Sequence, residues 1–459
     1  MSESPAATPC DRRFVLWLVA IAVAGLAWRV IYIVAWRRNM VVWGDAYFYH
    51  HSANLIADGK GWIYPLQYLQ NGVVTQAADH PPLYLLYLAF WSKLGLTSPL
   101  SHLLTSSLVG AATVFVAGLA GRQIAGRRVG IVAAVLAATY PNLWNWDGLL
   151  LSETMAIFTV TLTLWLAYRF WRRPTLLGAI LLGAAVAAAA LSRAELLLLS
   201  VLLITPLVLT VRAKPWRIRI GWLAASAATC VAVLAPWVGY NLSRFDRPVY
   251  LSNGFEITLA TSSCDYTFYG PTTGYWSIWC PVDYLAANGI DEATTDQSLR
   301  SDVLRRESLD YLRNHERRIP AVVLARWGRI TGLWDPIQQA DLDTANDRMT
   351  PWVPQLSTLW WYPMVALAVG GAVSLHRRRV PVYPLLAPLV TVAIVVTILF
   401  AQTRYRASAE PAIVLLAAVG VDALWRGYRR VRDDPEDQPQ RNTSEPSASV
   451  STTTVSPST

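Results

Sequence analysis

The chain has 459 residues, of which 54% are hydrophobic and only 15% charged, with a formal net charge of +9. A water-soluble domain averages about 25% charged residues, so this composition excludes an ordinary soluble protein. The positive balance does not indicate nucleic acid, because the arginines cluster between apolar runs instead of lining one face, as in the cytoplasmic loops of membrane proteins.

A helix crosses the hydrocarbon core with about 20 apolar residues. In chain order, the runs 14–36, 100–121, 129–146, 152–170, 175–191, 195–211, 219–239, 356–375, 382–400 and 407–425 predict about ten transmembrane helices. No small-residue cleavage site follows the first run, Phe14–Trp36, which argues against a cleaved signal peptide. Within the loop 37–99, the run His80–Leu94 is too short to cross and contains Pro81-Pro82, so an interfacial helix is expected there. The stretch 175–211 is too long for one crossing. It breaks at Ser192-Arg193-Ala194-Glu195, where charges at mid-bilayer would be costly, which predicts a tight helical hairpin.

The loop 240–355 contains an amphipathic helix over 298–315, followed by Ile319–Trp334 along the interface with Trp327 and Trp334 at head-group level. Tyr266, Tyr269, Tyr275, Trp276 and Trp279 in this loop either pack a small domain or stack on sugar rings. From Asp433 onward Pro, Ser, Thr and acidic residues replace apolar ones, and disorder is expected. The chain thus reads as an all-α polytopic membrane protein with an outer loop domain and interfacial helices. Its parts are an N-terminal transmembrane module 1–239 carrying the outer loop 37–99, the loop domain 240–355, helices 356–425, and a tail 426–459.

Basic residues set the direction. Arg12/Arg13, Arg122/Arg127/Arg128, Arg169/Arg172/Arg173, Arg212/Lys214/Arg217/Arg219, His376 to Arg379 and Arg426/Arg429/Arg430/Arg432 all fall on one side when the crossings are counted, with Arg37 and Arg38 as exceptions. The positive-inside rule makes that side the cytoplasm, with both termini in it. Cys264 and Cys280 then lie in the large outer loop on the oxidising side, spaced for a disulfide, while Cys10 and Cys230 have no evident partner.

An anchor needs no charge on its outer face, and this chain has several there. Asp45 follows the first span in Gly44-Asp45-Ala46-Tyr47. It suits either an N-cap for a helix over 46–58 or a general base. Asp79-His80-Pro81-Pro82 offers a further carboxylate and an imidazole, and a cap is the structural alternative for both. Asp147 and Glu153 flank a short outer turn, where Glu153 also complements a helix dipole. Arg193 marks the hairpin tip, and Arg404-Tyr405-Arg406 joins the last two spans with Glu410 beyond. Ionisable groups at membrane depth point to function, and carboxylates mixed with cations suit chemistry on an anionic substrate.

These segments, in this order, resemble the GT-C superfamily of integral membrane glycosyltransferases. The similar branch is that of dolichyl-phosphate-mannose-protein mannosyltransferases, which includes the lipid A aminoarabinose transferases. The resemblance covers roughly 12–425 and rests on Gly44-Asp45-Ala46-Tyr47, His80-Pro81-Pro82-Leu83, Leu191 to Leu196, Ser308 to His315, and Arg404-Tyr405-Arg406 with Pro411. Gly44 stands where the family often has a second acidic residue, and His80 where some members have lysine. The resemblance implies transfer of a hexosyl or pentosyl group from a polyprenyl-phosphate donor to a lipid, glycan or protein acceptor of the envelope. Transfer would occur at the extracytoplasmic face, with inversion. Asp45 would be the catalytic base. Arg193, Arg404, Arg406, Tyr405 and His80 would hold the donor phosphate, and Asp79 and Glu153 would be supporting acids. No cofactor is firmly implied; some members use a divalent cation, and no metal-ligand cluster is evident. A transporter or flippase of lipid-linked sugars is the alternative, and a non-catalytic assembly partner a third. One-sided charge and the lack of a repeat weigh against transport.

Overall fold

The computed structural model describes residues 9–291 and 294–432. Among these no β-strand forms; an isolated antiparallel bridge joins Ile63 and Gln76. Helix α1 (Pro9–Tyr32) continues into a π-helical turn, Ile33–Arg37. The first long loop carries α2 (Asp45–Ala57), α3 (Pro65–Asn71) and α4 (Leu83–Lys93). The run α5 (Pro99–Ala125), α6 (Arg127–Thr139), the short α7 (Pro141–Trp144), α8 (Glu153–Arg172) and α9 (Leu176–Ser192) forms the buried centre of the bundle. After a break come α10 (Thr205–Leu209) and the long α11 (Trp216–Leu242). The second long loop holds α12 (Gly254–Ala260), α13 (Asp265–Phe268), α14 (Trp279–Ala287), α15 (Gln297–Asn314), α16 (Ile319–Ile330) and α17 (Pro336–Asn346). The chain then returns through α18 (Trp352–Arg377), α19 (Tyr383–Ile398), α20 (Thr403–Arg406) and α21 (Glu410–Arg432).

Helical structure covers each of the ten apolar runs. Five helices are long and apolar enough to cross a membrane by length and composition: Arg12–Arg37, Pro99–Ala125, Trp216–Leu242, Trp352–Arg377 and Glu410–Arg429. Leu176–Ser192, Ala194–Leu209 and Tyr383–Ile398 are shorter apolar helices. The outward faces of α1, α11 and α18 present Leu16, Val23, Val231 and Val369 to the surroundings, which a soluble bundle would not tolerate on this scale.

The break expected in 175–211 is present. Arg193 is extended (φ −149°, ψ 120°), and a 3-10 turn Ala194–Leu198 and a π turn Ser200–Ile204 lead into α10. The described residues up to Ala423, both long loops included, form one compact unit; the described residues from Leu424 belong to a second. The disordered tail expected from Asp433 lies outside the described residues.

Two expectations are corrected. Asp45 does not cap its helix. Gly44 is the N-cap, at φ +55°, a backbone conformation glycine adopts at little cost, and Asp45 is the first helical residue. Arg37 is no misplaced loop charge. It is buried, with Nε donating to the Gly148 carbonyl at 2.9 Å and Nη1 to the Arg348 carbonyl at 2.7 Å. It stitches the end of the first span to the segments at Gly148 and Arg348, so it is not a free loop charge of the kind the positive-inside rule counts.

Candidate active site

Three junctions bring distant loop segments together. Arg244, just beyond α11, donates to the Trp62 and Ala77 carbonyls at 3.0 and 2.7 Å and to Gln76 Oε1 at 3.0 Å. Gln297, opening α15, accepts from the Ala78 amide at 2.9 Å and donates to Asp79 Oδ2 at 2.7 Å. These contacts fix the strip that delivers His80. The third junction holds the segment after α17, through Arg37 on the Arg348 carbonyl and the Tyr32 and Thr350 hydroxyls at 3.1 Å from each other.

At their meeting point lies a continuous charge network. Arg404 Nη2 donates to Asp45 Oδ2 at 2.6 Å and Arg404 Nε to Glu153 Oε1 at 2.6 Å, while Arg404 Nη1 sits 3.9 Å from Asp347 Oδ1. Arg193 also donates to Glu153 Oε1, and its Nε donates to Glu195 at 2.6 Å. The Arg193 guanidinium lies over the Tyr405 ring, 5.0 Å from the centroid. His80 Nε2 is 3.5 Å from Asp45 Oδ1, and its ring stacks on Tyr49 at 4.7 Å. Asp45, His80, Arg193, Tyr405, Arg404 and Glu153 are thus brought together.

Two of the candidates stand apart from this network. Asp79 is held by Gln297, one residue from His80. Arg406 donates to Glu410 at 2.6 Å and to the Ile330 carbonyl at 3.0 Å, and lies 3.8 Å over the Trp361 ring.

The network has a graded exposure. Glu153 is fully buried, at the first turn of α8, and its Oε2 finds no partner among the described residues. The Arg193 and Arg404 side chains are 11% and 15% exposed, while that of Asp45 is 36% exposed. Asp45 is therefore the acidic group of the Asp45–Glu153 pair that an incoming molecule meets. Burial works to raise its pKa, and the nearby Arg404 and His80 more than reverse this, holding the carboxyl well below the usual range. Exposure of a third of the side chain moderates that pull.

Asp347, which sequence reasoning did not single out, behaves in the opposite way. Burial pushes its carboxyl up to about 8, with Asp343, Glu153 and Asp45 adding to the rise against Arg404. Its Oδ2 accepts from Gln402 at 2.7 Å, and the neighbouring Asp343 accepts from Thr403 and Gln339. Successive residues 402, 403 and 404 thus each engage a carboxyl from the end of α17. Beneath the site, Arg29 of α1 donates to Asp147 at 2.5 Å, and Thr154 donates to the other Asp147 oxygen at 2.9 Å. A Cβ on Gly110 would stand 1.9 Å from Asp147 Oδ2, so this buried pair exists because α5 has a glycine there.

Cys264 and Cys280 form a disulfide with Cα atoms 5.7 Å apart. Of the five loop aromatics, Tyr275 is buried and accepts from Asn346 at 3.3 Å, while Tyr266, Tyr269 and Trp279 are exposed. Among the described residues no group of three or more His, Cys, Asp or Glu is placed to hold a metal ion. Asp45 and Glu153 each pair with a guanidinium, so a divalent cation at these carboxylates would have to displace Arg404 or Arg193.

The profile of the family described as dolichyl-phosphate-mannose-protein mannosyltransferase matches residues 79–240, which include His80, Glu153 and Arg193. Among solved structures, the chain is similar to the oligosaccharyltransferase AglB from Archaeoglobus fulgidus in complex with an inhibitory peptide and a dolichol-phosphate. The TM-score is 0.50 at 15% identity, over 92% of this chain and 52% of that one. The apo form of the Archaeoglobus fulgidus oligosaccharyltransferase gives 0.51 at 14% identity, over 91% and 52%. The family model thus covers about a third of the chain, and the two oligosaccharyltransferase structures share its fold. The chain spans about half the length of these oligosaccharyltransferases. ArnT from Cupriavidus metallidurans bound to undecaprenyl phosphate superposes with a TM-score of 0.42 at 13% identity, over 95% of this chain and 82% of that one. No curated protein matches by sequence. With its several long apolar helices, the chain is a multi-pass membrane protein.

Proposed function

We propose that this protein transfers a sugar from a polyprenyl-phosphate donor to a hydroxyl of an envelope acceptor, at the extracytoplasmic face. The observation that carries this is the partly open Asp45 carboxylate set between His80 and Arg404, with Arg404 and Arg193 converging on Glu153 behind it. About ten crossings with both termini cytoplasmic would set this network outward. The dolichol-phosphate in AglB has the chemistry proposed for the leaving group here.

In the proposed reaction the acceptor oxygen attacks the anomeric carbon while the bond from that carbon to the phosphate oxygen breaks. The electron pair leaves with the phosphate, and the acceptor proton passes to Asp45. A single displacement inverts the anomeric centre. The phosphate departs as a stable anion, so no general acid is required.

Charge balance within the network shapes this mechanism. Asp45, Glu153 and Glu195 already occupy Arg193 and Arg404. A donor phosphate must therefore compete for Arg404, and success frees Asp45. A carboxylate relieved of its guanidinium regains basicity, so donor binding arms the base. Arg193, held on Tyr405, and His80 complete the phosphate cradle. Glu153 and Asp79 act as positioning acids. Arg406 supports the start of α21 through Glu410 and acts on the phosphate through the adjacent turn.

The test presents defined polyprenyl-phosphate sugars and a crude envelope fraction to purified protein, with Asp45→Asn as control and chelator as a further arm. The expected result is sugar incorporated by the native protein alone. Movement of lipid-linked sugar across vesicles without transfer to any acceptor would overturn the proposal in favour of a flippase.

A further inference from the structure

A cavity of about 370 Å³ lies among the second long loop and the end of α19, away from Asp45. Its walls are mostly apolar, with Leu259 from α12, Leu309 and Leu312 from α15, Val322 from α16 and Ile398 from α19. Leu309 and Ile398 are 40% and 48% exposed, so the cavity opens outward between α15 and α19. Two charged residues line it, Arg305 and Arg326, and no acidic one does.

Arg326 is 3% exposed. Its Nη1 donates to the Thr397 and Ile398 carbonyls at 2.9 and 3.1 Å, and its Nη2 to the Ser262 carbonyl at 3.1 Å. Its Nε has no partner among the described residues, and no carboxylate among them lies within salt-bridge distance of its guanidinium. Carbonyls satisfy its hydrogen bonds but leave its charge uncompensated, and a buried uncompensated charge is costly. Burial accordingly depresses its pKa to about 10. At the cavity mouth Arg305 is half-exposed and shared with Asp302 at 2.7 Å.

The depth of the cavity fits head groups. It abuts the carboxyl end of α19, where Trp327 of α16 donates from its indole to Thr397 Oγ1 at 2.9 Å and is itself 44% exposed. Leu324 on the same helix is 70% exposed. An amphipathic helix with half-exposed Trp belongs at the membrane interface. Tyr405, under Arg193, packs against the apolar cluster that contains Leu259 and meets Leu312, so an aromatic wall separates the cavity from the Arg193–Arg404 pair.

We propose that this cavity is a second lipid site, taking an acidic phospholipid with its phosphate at Arg326 and Arg305 and one acyl chain along Leu259, Leu312 and Val322. The anion supplies the counter-charge that Arg326 lacks, and the chain covers apolar wall that water would otherwise wet. This site stands independently of the transfer reaction proposed above.

The test uses the full chain in nanodiscs with phosphatidylglycerol carrying a diazirine on an acyl chain, followed by photolysis and peptide mapping. Labelling is expected on α15 or α16, at least about tenfold above that from the phosphatidylcholine analogue, a difference of about 1.4 kcal/mol. Leu309→Trp, at a half-exposed wall position, should cut the label with thermal unfolding unchanged, and Arg305→Glu should cut it without touching the core. Equal labelling by phosphatidylcholine would overturn the anion preference. Displacement of the label by polyprenyl phosphate would reassign the cavity to the donor's tail. No label in a protein that unfolds normally would remove the site altogether.

Discussion

Replacing Asp45 with asparagine separates chemistry from architecture. The side chain keeps its size and loses its charge and basicity. Arg404 retains Glu153 at 2.6 Å and Asp347 at 3.9 Å, so only the most exposed of its three carboxylate contacts is lost. Exposed ion pairs contribute about 0.2–1 kcal/mol, and the folding cost should fall in that range. Loss of a positioned base costs about 10²–10⁴ in rate, which is roughly 3–5 kcal/mol of barrier. The activity effect should therefore exceed the stability effect several-fold. Transfer from a polyprenyl-phosphate sugar is measured in proteoliposomes beside thermal unfolding of the same preparation. If Asp45→Asn retains transfer within about tenfold of the native protein, the base assignment fails. If it instead unfolds at markedly lower temperature, Asp45 is a structural acid and the reasoning from its exposure was wrong.

Glu153→Gln should show the reverse partition. Two arginines share one buried oxygen of this residue, and breaking a buried pair costs about 3–5 kcal/mol; loss of thermal stability should accompany any loss of activity. Asp347 predicts a pH dependence. Below about pH 8 its carboxyl is protonated, and above that it ionises 3.9 Å from Arg404 and competes with the donor phosphate. Donor KM should thus rise as pH passes upward through about 8, and Asp347→Asn should abolish the rise; the same rise in the variant would exclude Asp347 as its source. Gly110→Ala should push apart the Arg29–Asp147 pair, since its Cβ would stand 1.9 Å from Asp147, and lower thermal stability by about 1–3 kcal/mol. Arg37→Met leaves the Gly148 and Arg348 carbonyls unpaired, at about 1–3 kcal/mol each, and should increase hydrogen exchange around 347–350.

Which parts of the site were legible follows from contrast. Asp45, His80, Arg193 and Arg404 stand out because each charge or imidazole interrupts or ends an apolar run, where the membrane makes polarity expensive. The break at Arg193 was legible for the same reason, and the extended Arg193 backbone is its local form. Asp347 lacks that contrast: Asp335, Asp341 and Asp343 precede it in a polar loop, and its distinction arises only from burial that the loop's folding imposes. Arg29 was hidden differently, as a single charge inside a long apolar helix whose partner lies 118 residues away. Arg37 was visible only as an exception, because the positive-inside rule counts arginines as free loop charges, whereas this one spends its donors on protein carbonyls. The same distinction separates two kinds of largely buried arginine. Arg404 and Arg193 face carboxylates, which the proposed mechanism exchanges for a phosphate. Arg37 and Arg326 face carbonyls, which hold a guanidinium in place without neutralising it. In the proposed transfer the chemistry belongs to the first pair, whereas in the proposed lipid site an arginine of the second kind draws the anion through the cavity that reaches it at Arg326.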